Sequence, residues 1–93
     1  MIRSFKNDAA RAVFNSQCPK GFPAHAFKTA RRKLKMIHAA ASLDDLKCPP
    51  GNKLHLLTGD RRGQYAVWIN SQYRVCFLWS EDGVHDVEII DYH

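Results

Sequence analysis

The sequence predicts an α+β fold in which a short N-terminal strand and two helices pack on one face of an antiparallel four-stranded C-terminal sheet. Three observations carry this expectation. Apolar residues recur at intervals of three and four through the front half, they alternate at every second position after Gly51, and compact turn signals separate the alternating runs. Residues 1–93 read as one domain, without repeats, linkers or low-complexity stretches.

Each element has a local reason. Ile2 to Phe5 alternates and reads as a short strand. Asn7 or Asp8 supplies an N-cap, and Ala9 to Asn15 reads as a short helix carrying Ala10, Val13 and Phe14 inward. Cys18-Pro19-Lys20-Gly21-Phe22-Pro23 breaks it. From Ala24 the positions Phe27, Ala30, Leu34, Ile37 and Ala41 trace one face of an amphipathic helix. Its outer face carries Lys28, Arg31, Arg32 and Lys35 as a basic stripe. Ser42 with Asp45 reads as a capping box opening one further turn, which Pro49-Pro50 and Gly51 end.

After Gly51 come the strands. Lys53 to Leu57 is the first, and Thr58-Gly59-Asp60-Arg61-Arg62-Gly63 turns. Gln64 to Asn70 is the second, with Tyr65, Val67 and Ile69 on one face. Asn70-Ser71 turns into a third strand, where Tyr73, Val75, Phe77 and Trp79 alternate. Glu81-Asp82-Gly83 leads into a fourth, Val84 to Tyr92.

Composition narrows the class. A hydrophobic content of 45% with two tryptophans argues for a folded globule over a disordered chain. No run approaches the length of a membrane span. The start, Met1-Ile2-Arg3-Ser4-Phe5-Lys6, has no apolar signal-peptide core. Cys18, Cys48 and Cys76 are odd in number and widely spaced, so neither a disulfide framework nor a zinc knuckle is expected, and reduced thiols in the cytoplasm are the simplest reading. Cys76, inside an apolar strand, reads as a small buried hydrophobe.

The net charge is +5, and the basic residues crowd the front half: residues 1–50 hold ten Lys/Arg against three acids. That asymmetry fits a polyanionic partner, and it also fits a solvated helix face.

Acid–base groups gather near the end of the chain. Asp91-Tyr92-His93 combines carboxylate, phenol and imidazole after the apolar run Val87 to Ile90; it reads as a polar tail or as a docked strand end with a task. In a hairpin turning at Glu81-Asp82-Gly83, Arg74 falls opposite Ile90 or Asp91. A guanidinium in an apolar strand is paired or functional. His55, between Leu54 and Leu56, reads as structural or catalytic. Arg61 and Arg62, between glycines, suit a phosphate or plain solvent. This inventory fits RNA strand cleavage by the 2′-hydroxyl: one group takes its proton, a cation stabilises the pentavalent phosphate, and another group protonates the leaving 5′-oxygen. No cluster of carboxylates or thiolates points to a metal, so metal-independent chemistry without a cofactor is expected.

Lys53-Leu54-His55, Leu57, Gly59-Asp60-Arg61, Gly63-Gln64, then Tyr73-Arg74-Val75, Phe77 and the terminal Asp91-Tyr92-His93 resemble the HigB toxins of the RelE superfamily. The opening Met1 to Phe5 and the segment Ala39-Ala40-Ala41-Ser42 with Asp45-Leu46 fit as well, so the likeness covers essentially the whole chain. The resemblance implies a RelE-like fold and a bacterial type II toxin, a ribosome-dependent endoribonuclease (mRNA interferase) cutting mRNA in the ribosomal A site. The implied partners are a HigA-like helix-turn-helix antitoxin, the ribosome with its 16S RNA, and mRNA, with operator DNA reached only through the antitoxin and no membrane.

By the same likeness, His55 and His93 serve proton transfer or substrate orientation, Arg74 stabilises the phosphate, Tyr92 stacks on or positions a nucleotide, and Asp91 orients a neighbouring base. Arg61, Arg62, Arg31, Arg32 and Lys35 are the expected RNA-binding cations. The basic stripe serves ribosomal RNA or an acidic antitoxin surface. The sequence departs from the pattern at Thr58, where many members carry a lysine; a hydroxyl there supplies no charge, which implies milder cleavage unless Arg61 or Arg62 compensates. Two rival readings share the fold or the charge: a non-cleaving ParE-like toxin, and a basic module that only binds ribosomal RNA.

Overall fold

The computed structural model describes residues 1–91. Helix α1 (Asp8–Phe14) and helix α2 (Ala24–Ala39) precede four strands, β1 (His55–Leu56), β2 (Tyr65–Trp68), β3 (Tyr73–Ser80) and β4 (Gly83–Asp91). The sheet is antiparallel, in the order β1-β2-β3-β4. The helices cover one face, and Ala10, Val13, Ala30, Leu34 and Ile37 meet Val67, Val75, Phe77, Val84, Val87 and Ile89 in the main core. This is the α+β arrangement the sequence predicts.

Asn7 is the cap of α1: its Oδ1 accepts the Ala10 N–H at 3.0 Å. Ser42 and Asp45 form the expected capping box, but the turn they open, Leu43–Lys47, is a 3-10 helix. A second 3-10 turn, Pro50–Asn52, follows the cis Cys48–Pro49 peptide. Asn52 is fully buried there and ties this loop to α2: its Nδ2 donates to the carbonyls of Leu46 and Cys48, and its Oδ1 accepts from Lys33 Nζ. Lys33 thus turns inward, unlike the exposed cations of the stripe, and burial, with Arg32 adding repulsion, lowers its pKa.

Two expectations need adjustment. The first strand is two residues long instead of five, because Lys53 sits in the left-handed region at φ 48° and Leu57 pairs only through its N–H to Gln64 O. The N-terminal segment makes two isolated parallel bridges to β4, Ile2 with Val84 and Phe5 with Val87, in place of a continuous strand.

The cause of both the interruption and the core pattern is a bulge. Cys76 pairs with Glu88 and Leu78 with His85, so Asp86 and Val87 together face Phe77, with Asp86 at φ 54°. In a regular strand Val84 and Val87 point to opposite faces; the bulge puts both into the core, fully buried.

Candidate functional site

The side chains on the sheet face away from the helices follow from register. His55 pairs with Ala66, Ala66 with Cys76, and Cys76 with Glu88, so these four form one row across all the strands. The neighbouring row is Trp68, Arg74 and Ile90. Leu57, Ala66, Cys76 and Ile90 make a small apolar patch under the polar groups. Two of the predicted residues, His55 and Arg74, thus lie on one face in adjacent rows, with Arg61 at the rim.

Arg74 is 7% exposed. Its Nη1 donates to the carbonyls of Asn70 at 2.6 Å and Tyr73 at 3.2 Å, and its guanidinium carbon stands 3.8 Å from the centroid of the Trp68 ring. The same ring carries the Lys53 ammonium, also at 3.8 Å. His55 is exposed, with Nδ1 2.9 Å from Lys53 O. A carbonyl only accepts, so this contact places the proton on Nδ1 and leaves the Nε2 lone pair facing outward.

Arg61 ends a 3-10 turn, Gly59–Arg61, that Thr58 precedes. Its Nη1 donates to Gln64 Oε1 at 3.2 Å and pairs with the Glu88 carboxylate. Side-chain exposure is 36% for Arg61 and 8% for Glu88, so this cation neutralises a nearly buried acid. Arg62 beside it is exposed. Within the first row, the Cys76 thiol has its pKa raised, first by burial and further by Glu88, against the opposing pull of Arg61, Arg74 and Lys6.

The register settles the position of Asp91. It pairs with Tyr73, and Ile90 pairs with Arg74, so strand alternation turns Asp91 to the opposite side from Arg74. Its carboxylate accepts from Gln72 Nε2 at 3.2 Å. Tyr92 and His93 lie outside the described residues.

The cations expected on α2 spread over the helical layer, remote from this face. Lys28, Arg31, Arg32 and Lys35 are exposed; Arg31 Nε donates to Ser16 Oγ at 2.7 Å, and the Lys35 ammonium lies 4.0 Å from the Phe14 ring centroid. A separate hollow lies between Met1, Ala40, Ala41, Trp79 and the β3–β4 turn, at the opposite end of that hairpin from Arg74. It contains none of the predicted site residues. Among the described residues no three His, Cys, Asp or Glu side chains converge as metal ligands, and no helix is long and apolar enough to cross a membrane.

Sequence reasoning did not find Trp68, the ring contact of Lys53, or Glu88. Hairpin spacing carries Trp68 to Arg74, but Lys53 reaches the ring from a left-handed turn before β1, which spacing does not show.

Two helices on one face of a four-stranded antiparallel meander form the α+β arrangement of the RelE-like fold. The model of the HigB-like toxins, described as the RelE-like toxin of type II toxin-antitoxin system HigB, matches residues 3–93, and the chain belongs to this family. It is 40% identical over 62 residues to Toxin HigB-1 of Vibrio cholerae serotype O1, covering 67% of this chain and 64% of that protein. It is 34% identical over 65 residues to an uncharacterized protein of Haemophilus influenzae, covering 70% and 64% of the two chains. The chain therefore spans just under two thirds of the length of each of those relatives. It is 28% identical over 93 residues, the full length of both, to Endoribonuclease HigB of Proteus vulgaris.

Proposed function

We propose that the chain is a ribosome-dependent endoribonuclease, the toxin of a type II toxin–antitoxin pair, which cuts mRNA in the A site and so inhibits translation. The observation that supports this most is that the exposed His55 imidazole and the ring-stacked guanidinium of Arg74 lie on one face of the sheet.

In this reading an RNA strand lies across the open face. An imidazole, His55 or His93, removes the 2′-hydroxyl proton, and the 2′-oxygen attacks the adjacent phosphorus. Arg74 holds the extra charge of the pentavalent phosphate. The P–O5′ bond then breaks, the 5′-oxygen takes a proton from the second acid–base group, and a 2′,3′-cyclic phosphate and a 5′-hydroxyl are left. Tyr92 positions a nucleotide; Asp91, the last residue of β4, is turned away from Arg74 and would meet a base only where the strand passes the end of the sheet. These steps use side chains alone.

Arg31, Arg32 and Lys35, with Arg62 at the turn, form the exposed cationic surface for ribosomal RNA. Arg61 contributes less, since Glu88 already balances it. The partner that silences the toxin is a HigA-like antitoxin, and operator DNA is reached only through it. The work is done in the cytoplasm, where the ribosomes are.

Primer extension on mRNA from cells expressing the chain tests the reading. Discrete in-frame cuts are expected, lost in Arg74→Ala and on removal of His93 while the purified variants keep a cooperative unfolding transition. Growth arrest with DNA damage and intact mRNA points instead to the ParE-like reading, and salt-sensitive ribosome binding without cuts points to a binding module.

A further inference from the structure

We infer that Lys53 is a second phosphate-holding cation of the cleavage face, and that Trp68 is the positioning residue that sets it beside Arg74. The inference rests on the function proposed above and adds two residues to its site.

Three observations converge. Trp68 on β2 pairs with Arg74 on β3, and the side chain of Lys53, two residues before β1, reaches the Trp68 ring. The Lys53 ammonium and the Arg74 guanidinium each stand 3.8 Å from the centroid of the one indole. Their separation is therefore no more than twice that distance, within reach of a single phosphodiester and its neighbour. Lys53 also connects the two functions of the face, since its carbonyl orients the His55 ring while its side chain reaches the arginine row.

The electrostatics give the arrangement a direction. Two like charges drawn to one ring repel each other, and the ring quadrupole offsets only part of that. An anion beside the indole offsets more. Thr58 brings no charge to the rim and Arg61 is matched by Glu88, which leaves Lys53 as the exposed cation on the Trp68 ring. Lys53 is an exposed residue, as a phosphate ligand requires.

The test uses the whole chain carrying Trp79→Phe, which leaves Trp68 as the sole indole of the two in the sequence. Titration with an uncleavable 2′-O-methyl RNA trinucleotide is expected to change Trp68 emission, with log affinity falling linearly in log salt. Adding Lys53→Gln is expected to weaken binding and make the salt slope shallower by about 0.7, the value for one phosphate contact to a single strand. In cleavage of ribosome-bound mRNA by the otherwise native chain, Trp68→Leu is expected to lower the rate about two- to fivefold, the scale of one cation–ring contact, and Trp68→Phe to recover most of it.

An unchanged slope in Lys53→Gln, with its unfolding midpoint preserved, overturns the role of Lys53 and leaves the proposed function standing. Equal rates for Trp68→Leu and the native chain overturn the role of Trp68. A native chain that cuts nothing, while Lys53 still sets the trinucleotide slope, overturns the proposed function and supports the phosphate subsite.

Discussion

The carboxamide of Asn7 is bonded to the backbone of Ile89 in both directions: Nδ2 donates to Ile89 O at 2.8 Å, and Oδ1 accepts from Ile89 N at 3.4 Å. One side chain thus imitates a short strand at the outer edge of β4 while its Oδ1 also caps α1 through Ala10 N. Loss of Asn7 frays a helix start and uncovers a sheet edge together. Asn7→Ala is expected to cost about 1–2 kcal/mol, and Asn7→Asp, which keeps the cap acceptor, less. Urea unfolding of the three proteins measures it; equal midpoints for Asn7→Ala and the native chain refute the double role.

The pair of Arg61 and Glu88 predicts a strong asymmetry. Removing the arginine leaves a nearly buried carboxylate without its main counter-charge, so Arg61→Met is expected to cost about 1–3 kcal/mol. Glu88→Gln relieves that charge, and the double variant is expected to recover part of the loss. A double-mutant cycle reads the coupling. Strict additivity would show that the pair contributes nothing, and Arg61 would then return as an RNA-binding cation.

Asp82 gives the fold a pH signature at the β3–β4 turn. Hydrogen bonds from Ser80 Oγ, then from His85 Nε2, lower its pKa from 3.8 to about 2. A carboxyl with a depressed folded value binds fewer protons folded than unfolded, so its contribution is complete above about pH 4 and disappears as the pH falls through about 2. The native chain is expected to be more stable than Asp82→Asn at neutral pH, the difference closing through that window. Thermal midpoints across an acid series check this; a difference that persists unchanged below pH 2 rejects it.

Thr58 stands at the start of the Gly59–Arg61 turn, exposed, on the approach to the open face. A lysine there adds a cation to the rim without disturbing a packed group. Thr58→Lys is expected to raise the cleavage rate on ribosome-bound mRNA and deepen growth arrest. No gain in either would mean that the existing cations already suffice.

Much of this molecule is written locally. The three-and-four spacing from Ala24 contains α2, Asn7 and Ser42 announce their turns, and alternation from Tyr65 and Tyr73 separates core face from open face, because these patterns depend on neighbours a few residues away. His55 and Arg74 were legible as a histidine and an arginine set in apolar strands.

Their geometry was not legible, because it is set by pairings between segments far apart in the chain. The choice between Ile90 and Asp91 opposite Arg74 turns on a single residue of register, and that residue decides which face Asp91 takes. The bulge at Asp86 brings Val84 and Val87 into one core against their spacing. Lys33 turned inward because Asn52 was waiting nineteen residues on, and Arg61 acquired Glu88 from the far strand. The residue types were determined by the sequence alone; which of them share a face, a ring or a charge was decided only when the strands closed on one another.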